Sequence, residues 1–355
     1  LVNGDQFEQA DRRSVHGLAP TWMWNGQLGG RLSTLRGGFT LRQDDIGTVG
    51  LYNTAARQRV GTVREDRVRQ LGAGAWIEHT LQWNDWLRSV AGVRADHYDA
   101  SVASNLAANS GRTRDHQTSP KLNLVFGPFA ETEYFASWGH GFHSNDARGT
   151  QTRVDPATLN PLSLAPALVR TRGAELGART EAIEGLQTSF ALWRLDLASE
   201  LVFAGDAGTT EASRPSTRHG IEWSNRWRPH NWLILDADLS LSRARFTTTD
   251  PAVAGSYIPG AADRVLSLGA AVDNLGPWSG MLQMRYFGPR PLIEDNSQRS
   301  QPTLLWNLRA AYKVHPQMRL TLDVLNLFNR KASDIDYFYQ SRLRGEAAAT
   351  NDLHL

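Results

Sequence analysis

Along much of the chain, apolar and polar residues alternate one by one, which is the repeat of a β-strand with two different faces. In the segment LLWNLRAAYK, Leu304, Trp306 and Leu308 share one face, whereas Asn307 and Arg309 lie on the other. The segments LILDADLSLS and IEWSNRW alternate in the same way. A strand in a parallel α/β core would be apolar on both faces. The pattern therefore predicts an all-β, antiparallel sheet with one face in contact with water.

The connections between the predicted strands alternate between short and long. Short turns are predicted at Asn25-Gly26, Asn84-Asp85, Gly127-Pro128, Thr180–Glu184, Arg228–Asn231, Asn274–Pro277 and His315–Gln317. Longer polar stretches are predicted at 43–66, 103–118, 142–172, 204–217, 245–262 and 288–302. A soluble β-sandwich has no reason to keep its long loops at one end, whereas a transmembrane β-barrel has short periplasmic turns and long external loops. The predicted strands are about 10–17 residues long, enough to cross a membrane at a tilt.

Composition agrees with this fold and excludes several kinds of site. The sequence has no apolar run of about 18 residues, the length that a transmembrane helix needs. It has no cysteine, which excludes disulfides, thiolate metal sites and a cysteine nucleophile. The net charge is only +2 and no basic block occurs, so nucleic acid is not expected as a partner. No metal-ligand spacing is present, and neither a metal site nor a cofactor is predicted.

Aromatic residues flank the predicted short turns, where a barrel carries an interfacial girdle. This set comprises Trp83, Trp86, Trp227, Trp232, Trp278 and Tyr312. The alternative is that these residues cap the core of an ordinary sheet. One strand changes its apolar face between Leu192 and Trp193, and a β-bulge is predicted there because it would restore a continuous apolar exterior.

Several segments resemble the barrel of TonB-dependent outer-membrane receptors. They are SPKLNLVFGP (Ser119–Pro128), YFASWGHGFHSNDARG (Tyr134–Gly149), Leu192–Glu222, YFGPRPLIEDNS (Tyr286–Ser297) and Leu322–Glu346. The last segment is the most specific, because this family commonly carries an Asn-Leu-Phe-Asn sequence, here Asn326 to Asn329, shortly before its final strand. The resemblance covers most of the chain from about Asp5 onwards.

The resemblance implies a barrel of about 22 strands around a plug domain. The chain supplies about 14 of them. Residues 1–355 are therefore expected to be a partial barrel domain without the plug, with the first strands before Leu1 and the closing strand after Leu355. The opening LVNGDQFEQADRR has neither an initiator Met nor a signal sequence, so either a signal was removed or preceding sequence is missing.

The resemblance also implies a function. Family members sit in the bacterial outer membrane, in contact with lipid and lipopolysaccharide, and take up a scarce ligand such as a ferric siderophore. A TonB-type energy-coupling protein acts through the plug. Cobalamin, another metal chelate and an oligosaccharide remain open as the small-molecule ligand. The alternatives are a passive porin and an outer-membrane lipase; no nucleophile elbow is present, and an enzyme is not expected.

Tentative ligand-binding residues are concentrated in the predicted external loops. They are His140, His143, Asn145, Asp146, Arg148, Asp206, Glu211 and Arg214. Tyr134 and Trp138 precede this cluster and are predicted to face lipid. The polar groups that follow could contribute to a substrate vestibule, or they could hold the shape of the loop through an Asp146–Arg148 ion pair.

Overall fold

The fold is built almost wholly of antiparallel β-strands. The computed structural model describes residues 6–156, 159–204, 209–249, 254–333, 335–341 and 350–354. Within these ranges, fifteen strands form one sheet, and two separate hairpins are formed by β10 with β11 and by β18 with β19. No helix in the described part of the chain is both long and apolar enough to cross a membrane.

The large sheet follows the order of the chain from neighbour to neighbour. Its first strands are β1 (Gln6–Leu18), β2 (Thr21–Leu28), β3 (Arg31–Ala55), β4 (Gln58–Asn84), β5 (Leu87–Ser104), β6 (Gly111–Phe129), β7 (Thr132–Ser144), β8 (Leu168–Thr180) and β9 (Leu186–Leu197). After the hairpin of β10 (Leu201–Ala204) and β11 (Thr209–Ala212) come β12 (Ser216–His230), β13 (Leu233–Phe246), β14 (Arg264–Leu275), β15 (Trp278–Phe287), β16 (Thr303–His315) and β17 (Met318–Val324). The second small hairpin is β18 (Tyr337–Ser341) and β19 (Thr350–His354).

The number of strand positions agrees with the sequence-based expectation of about 14. Both β1 and β2 pair with β3, so the fifteen strands occupy fourteen positions. The described sheet is open: β1 and β2 form one edge and β17 forms the other. All its pairings are between strands adjacent in the meander, which is the connectivity of an up-and-down barrel wall.

The two faces of the sheet differ in polarity. Directly opposed residues lie on one face, and the pairings place Leu176, Leu192, Ile221 and Leu241 in one row. All four are exposed, and we call their side the outer face. One neighbouring row, on the opposite, inner face, contains Gly177, Ala191, Glu222 and Ser240, which are small or polar. Exposed large apolar residues are tolerable on the outer face because a barrel turns that face to lipid.

The predicted aromatic girdle is exposed and is not the cap of a core. The exposed fraction of all six residues, Trp83, Trp86, Trp227, Trp232, Trp278 and Tyr312, lies between 37% and 55%. The rings of Trp278 and Tyr312 pack with a centroid distance of 4.6 Å beside the turn between β14 and β15. Tyr134 and Trp138 are likewise exposed on the outer face of β7, as predicted.

The predicted long loop at 43–66 is wrong. Strands β3 and β4, which are 25 and 27 residues long in total, continue through this segment and meet at a tight turn at Ala56-Arg57. Both turn residues have positive φ, 50° and 65°. Polar residues on both faces led to the loop interpretation, but a hairpin that stands in water needs no apolar face. The predicted connection at 103–118 also shortens, because β5 ends at Ser104 and β6 begins at Gly111.

Three further local predictions are wrong. No bulge occurs at Leu192-Trp193, since the register of β9 with β8 and with β12 is continuous there. Instead, the apolar residues on the outer face of β9 end at Leu192, and the next residue on that face is Arg194. The first turn lies at Gly29-Gly30, not at Asn25-Gly26, which is inside β2. The third lies at Ala130-Glu131, beyond Gly127-Pro128.

Candidate functional site: the inner face and the external loops

The loop 145–167 folds against the inner face of the sheet. A buried apolar cluster joins Val68, Tyr98 and Ala100 of β4 and β5 to Ala147 and Ala167 of the loop. Buried apolar contact of this kind is the main force that can hold a long polar loop in one place. The loop between β13 and β14 behaves in the same way, because Ile258 packs on Ala244 and Phe246. The external ends of both halves of the sheet are therefore covered from inside.

A single asparagine connects the loop to the neighbouring hairpin. Asn109 is fully buried in the short 3₁₀ segment between β5 and β6. Its Nδ2 donates to the carbonyl of Val154 at 2.9 Å, and its Oδ1 accepts from the amides of Arg153 and Val154 at 2.9 and 3.0 Å. Arg64 adds a bond from Nη2 to Thr152 Oγ1 at 3.1 Å. Sequence reasoning missed this anchor, since nothing local distinguishes Asn109 from other loop asparagines.

The two predicted histidines lie on opposite faces of β7. His140 shares the outer face with Trp138, and their ring centroids are 5.0 Å apart. His143 is three residues further along a strand whose pairing with β8 has no irregularity, so its side chain lies on the inner face. Its Nε2 is buried and has no hydrogen-bond partner. Burial lowers the pKa of His143, an effect that the nearby Glu200 opposes.

Asn145 begins the loop and is also incompletely satisfied. It is 5% exposed, its backbone amide donates to the carbonyl of Ala167 at 3.0 Å, and Nδ2 donates to the carbonyl of Pro166 at 2.7 Å. Its Oδ1 is buried without a partner. An unpaired buried acceptor costs about 1–3 kcal/mol. His143 and Asn145 thus place two unused polar atoms near the start of this loop.

Asp146 and Arg148 form an ion pair within the same loop. Nε of Arg148 lies 3.0 Å from each carboxylate oxygen of Asp146, and Nη2 donates to Oδ2 at 2.6 Å. Burial works to raise the pKa of Asp146, but the hydrogen bonds and charge of Arg148 outweigh it, and the pKa lies below its usual value. This pairing gives the loop its first turn, whichever of the two predicted roles the residues have.

Of the remaining predicted residues, the structure describes Glu211 and Arg214. Arg214 forms an ion pair with Glu294, donates to the carbonyl of Thr248 at 2.8 Å and stacks on Phe246 with 4.3 Å to the ring centroid. Glu211 belongs to β11 and pairs with Val202. Asp206 lies outside the described residues. Arg214 therefore connects loops, and its carbonyl accepts a hydrogen bond at 3.2 Å from the amide of Glu200, the residue whose charge acts on His143.

The inner face carries a second feature that sequence reasoning missed. Arginine and aspartate two residues apart in one strand form ion pairs along neighbouring strands. The pairs are Asp11 with Arg13, Arg42 with Asp44, Arg64 with Asp66 and Arg94 with Asp96. Residues two apart project to the same side of a strand, so this spacing was a readable signal. Within the described residues, no group of three or more His, Asp or Glu side chains could hold a metal ion.

Comparisons with known proteins identify this architecture. The family model described as TonB dependent receptor-like, beta-barrel matches residues 2–327. The chain belongs to this family. Its members are outer-membrane transporters and receptors rather than enzymes, which removes the lipase alternative and argues against a passive porin. Comparison of the sequence with curated proteins finds no significant match.

Solved structures agree on the fold. The ferric-catecholate import receptor Fiu from E. coli is similar with a TM-score of 0.72 and 13% identity, over 93% of this chain and 52% of that one. The ferric yersiniabactin uptake receptor FyuA from Yersinia pestis gives 0.71 and 13%, over 99% and 54%. The copper transporter OprC gives 0.69 and 17%, over 92% and 52%. The chain thus spans about half the length of these structures.

Proposed function

We propose that the chain forms part of the barrel wall and external vestibule of an energy-coupled receptor for a scarce ligand such as a ferric siderophore. The main support is the inner face: it is lined by ion pairs and covered at its external end by loops that fold inward. Receptors for ferric catecholate and ferric yersiniabactin share the fold. Coupling to a TonB-type protein through a plug, which lies outside residues 1–355, belongs to the same proposal.

The proposed ligand contacts are the unused polar atoms at the start of the loop 145–167. His143 Nε2 and Asn145 Oδ1 are buried polar atoms without partners, and a ligand binds them once the start of the loop opens. Arg148 lies beside them in sequence and supplies a positive charge for an acidic chelate. Asp206, Glu211 and Arg214 are a second set of proposed contacts.

The test measures uptake and binding in cells that express the native protein. Deletion of the gene should reduce growth under iron limitation and reduce uptake of a radiolabelled ferric siderophore, and a proton-motive-force uncoupler should have the same effect. The variant His143→Ala should weaken ligand binding about tenfold. His140→Ala is the matched control, because that ring lies on the outer face.

Two results would contradict the proposal. Uptake that persists with the uncoupler would exclude energy coupling. Equal binding by the His143→Ala and His140→Ala proteins, at equal amounts in the outer membrane, would exclude the loop start as the ligand site.

A further inference from the structure

A cationic cavity lies on the outer face at the external ends of β12 and β13. Its volume is about 440 Å³, and its lining includes His219, Arg243, Arg245, Arg264 and Arg299. Direct pairing of His219 with Arg243, and of Leu241 with Arg264, places these residues on the outer face. Arg299 arrives from the connection between β15 and β16. This cavity is therefore outside the barrel wall and separate from the inner face.

Positive charge in this cavity exceeds negative charge. Among the described residues that line it, Asp263 is the single carboxylate beside four guanidinium groups. Asp263 is engaged by Arg299, whose Nη2 donates to Oδ2 at 3.2 Å. Arg243 and Arg264 are exposed, and both side chains point to the side on which the cavity opens. At least two guanidinium groups are thus available to an incoming anion.

Arg245 is held in place without an acid. Its guanidinium carbon lies 3.4 Å from the ring centroid of Tyr257, and Nη1 donates to the carbonyl of Ala244 at 2.6 Å. Burial lowers the pKa of Arg245, and the positive charges of Arg243 and Arg299 lower it further. The guanidinium groups of the cavity therefore repel one another, and a bound anion would reduce that repulsion.

The cavity adjoins the apolar surface that faces lipid. Ile221 and Leu241 are among its lining residues and are 37% and 38% exposed. Trp223, one position closer to the periplasmic end of the same face, is 47% exposed. Acyl chains cover such an apolar band, and the head groups of the same lipids lie at its border. The arginines stand at this border on the external side.

Elsewhere on the outer face, charged residues at the external ends of strands are paired. Asp99 of β5 is flanked by Arg112 and Arg114 of β6, with bonds of 2.7 and 2.9 Å. Asp196 of β9 accepts hydrogen bonds from Arg194 at 3.0 Å and from Arg172 at 3.2 Å. Each of these groups has one more guanidinium group than carboxylates, whereas the cavity at β12 and β13 has four guanidinium groups beside one carboxylate, so the excess of positive charge is larger there.

We propose that this cavity binds a phosphate group of a phosphorylated glycolipid of the outer leaflet, that is, lipopolysaccharide. Arg243 and Arg264 bind the phosphate oxygens directly, since guanidinium groups match phosphate in charge and geometry. Arg245, fixed on Tyr257, adds a third positive charge. The acyl chains of the same molecule lie over Ile221, Leu241 and Trp223, so both ends of one amphipathic ligand are satisfied.

The test uses the native protein extracted from outer membranes, delipidated in detergent and then exposed to defined ligands. Native mass spectrometry would count bound molecules of lipopolysaccharide and of its enzymatically dephosphorylated form. The double variant Arg243→Gln/Arg264→Gln should bind phosphorylated lipopolysaccharide with an affinity that is lower by a factor of about ten or more. The matched control is Arg194→Gln, which lies on the same face but beside Asp196. Its affinity for lipopolysaccharide should stay within about twofold of that of the original protein.

Three outcomes would overturn the proposal. The first is equal binding of phosphorylated and dephosphorylated lipopolysaccharide. The second is unchanged binding by the double variant. The third is full displacement of the glycolipid by inorganic phosphate at equal concentration, because the cavity would then be a site for small anions and not for a lipid.

Discussion

At the scale of single residues, the buried polar atoms at the loop 145–167 differ in whether they have hydrogen-bond partners. Asn109 satisfies three backbone groups of that loop, whereas His143 and Asn145 keep one unused atom each. The first arrangement stabilises the loop, and the second concerns the atoms that we propose as ligand contacts. Sequence reasoning selected His143 and Asn145 as candidates because they lie in one short segment. It could not find Asn109, since its partners are more than forty residues away.

Replacing Asn109 by alanine should loosen the loop 145–167. The substitution leaves two backbone amides and one carbonyl without partners, at a cost of about 1–3 kcal/mol. We expect faster cleavage of this loop by an external protease on intact cells, without loss of the protein from the membrane. Arg153→Ala is the control, because its side chain makes only an exposed bond of 3.4 Å. Equal cleavage rates in the two variants would contradict the anchoring role.

Acidification should destabilise the same loop through His143. Burial lowers its pKa in the folded protein below the ordinary value of 6.5. The unfolded state therefore binds more protons between the two values, and stability falls as pH drops from 6.5 towards the folded pKa. Hydrogen–deuterium exchange of residues 145–167, corrected for intrinsic rates, should show less protection at lower pH.

The variant His143→Gln should lose this pH dependence, whereas His140→Gln should keep it. An identical pH response in both variants would assign the effect to another group.

At the scale of elements, the tall hairpin β3–β4 is the main departure from expectation. Strand β5 ends opposite Asp66, but β3 and β4 continue beyond that point to their turn at Ala56-Arg57. Only β1 accompanies them, with its first residue opposite Thr54. Above the lipid, a strand needs no apolar face: Tyr52 is 2% exposed because the polar side chains of Arg59 and Glu65 contact it. Alternation of polarity therefore no longer reports secondary structure there. Turn position and strand length therefore could not be read from the pattern there.

Replacing the two turn residues of the tall hairpin by Asn-Gly should stabilise the turn. Ala56 and Arg57 both have positive φ, which costs a residue with a Cβ about 1 kcal/mol and suits Asn-Gly. Ala56→Asn/Arg57→Gly should slow hydrogen exchange at the hairpin tip, and Ala56→Val/Arg57→Val should accelerate it. A faster exchange in the Asn-Gly protein would argue against this turn geometry.

At the scale of the whole molecule, alternation and turn spacing were sufficient to predict the antiparallel sheet, its fourteen positions and its lipid-facing side. They were insufficient for the inward folding of the loops. That folding depends on contacts such as Ala147 with Tyr98, between segments far apart in the chain. Local turn positions moved by a few residues. Gly29-Gly30 was as compatible with a turn as Asn25-Gly26, whereas Ala130-Glu131 adopts positive φ against its local preference.

The open sheet leads to a prediction for residues 1–355 in isolation. Its edges, β1 with β2 and β17, carry backbone groups that lipid cannot satisfy. Refolded alone in detergent, this segment should form oligomers or aggregates and no heat-modifiable monomer on gel electrophoresis. The control is the native product from outer membranes, refolded in parallel. A stable, membrane-inserted monomer of 39.4 kDa would contradict the proposal that this is part of a larger barrel wall.

The length of the tall hairpin makes its turn accessible to large molecules outside the cell. From the pair Val49–Asp66 to its turn, the hairpin extends roughly 20–26 Å along the strands beyond the end of β5, at about 3.3 Å per residue. Even at a strand tilt of about 45°, this places the turn more than about 10 Å above the end of β5. The turn at Ala56-Arg57 therefore stands well out into the saccharide layer. An antibody raised against the tip should label living bacteria even when the vestibule below is inaccessible to it.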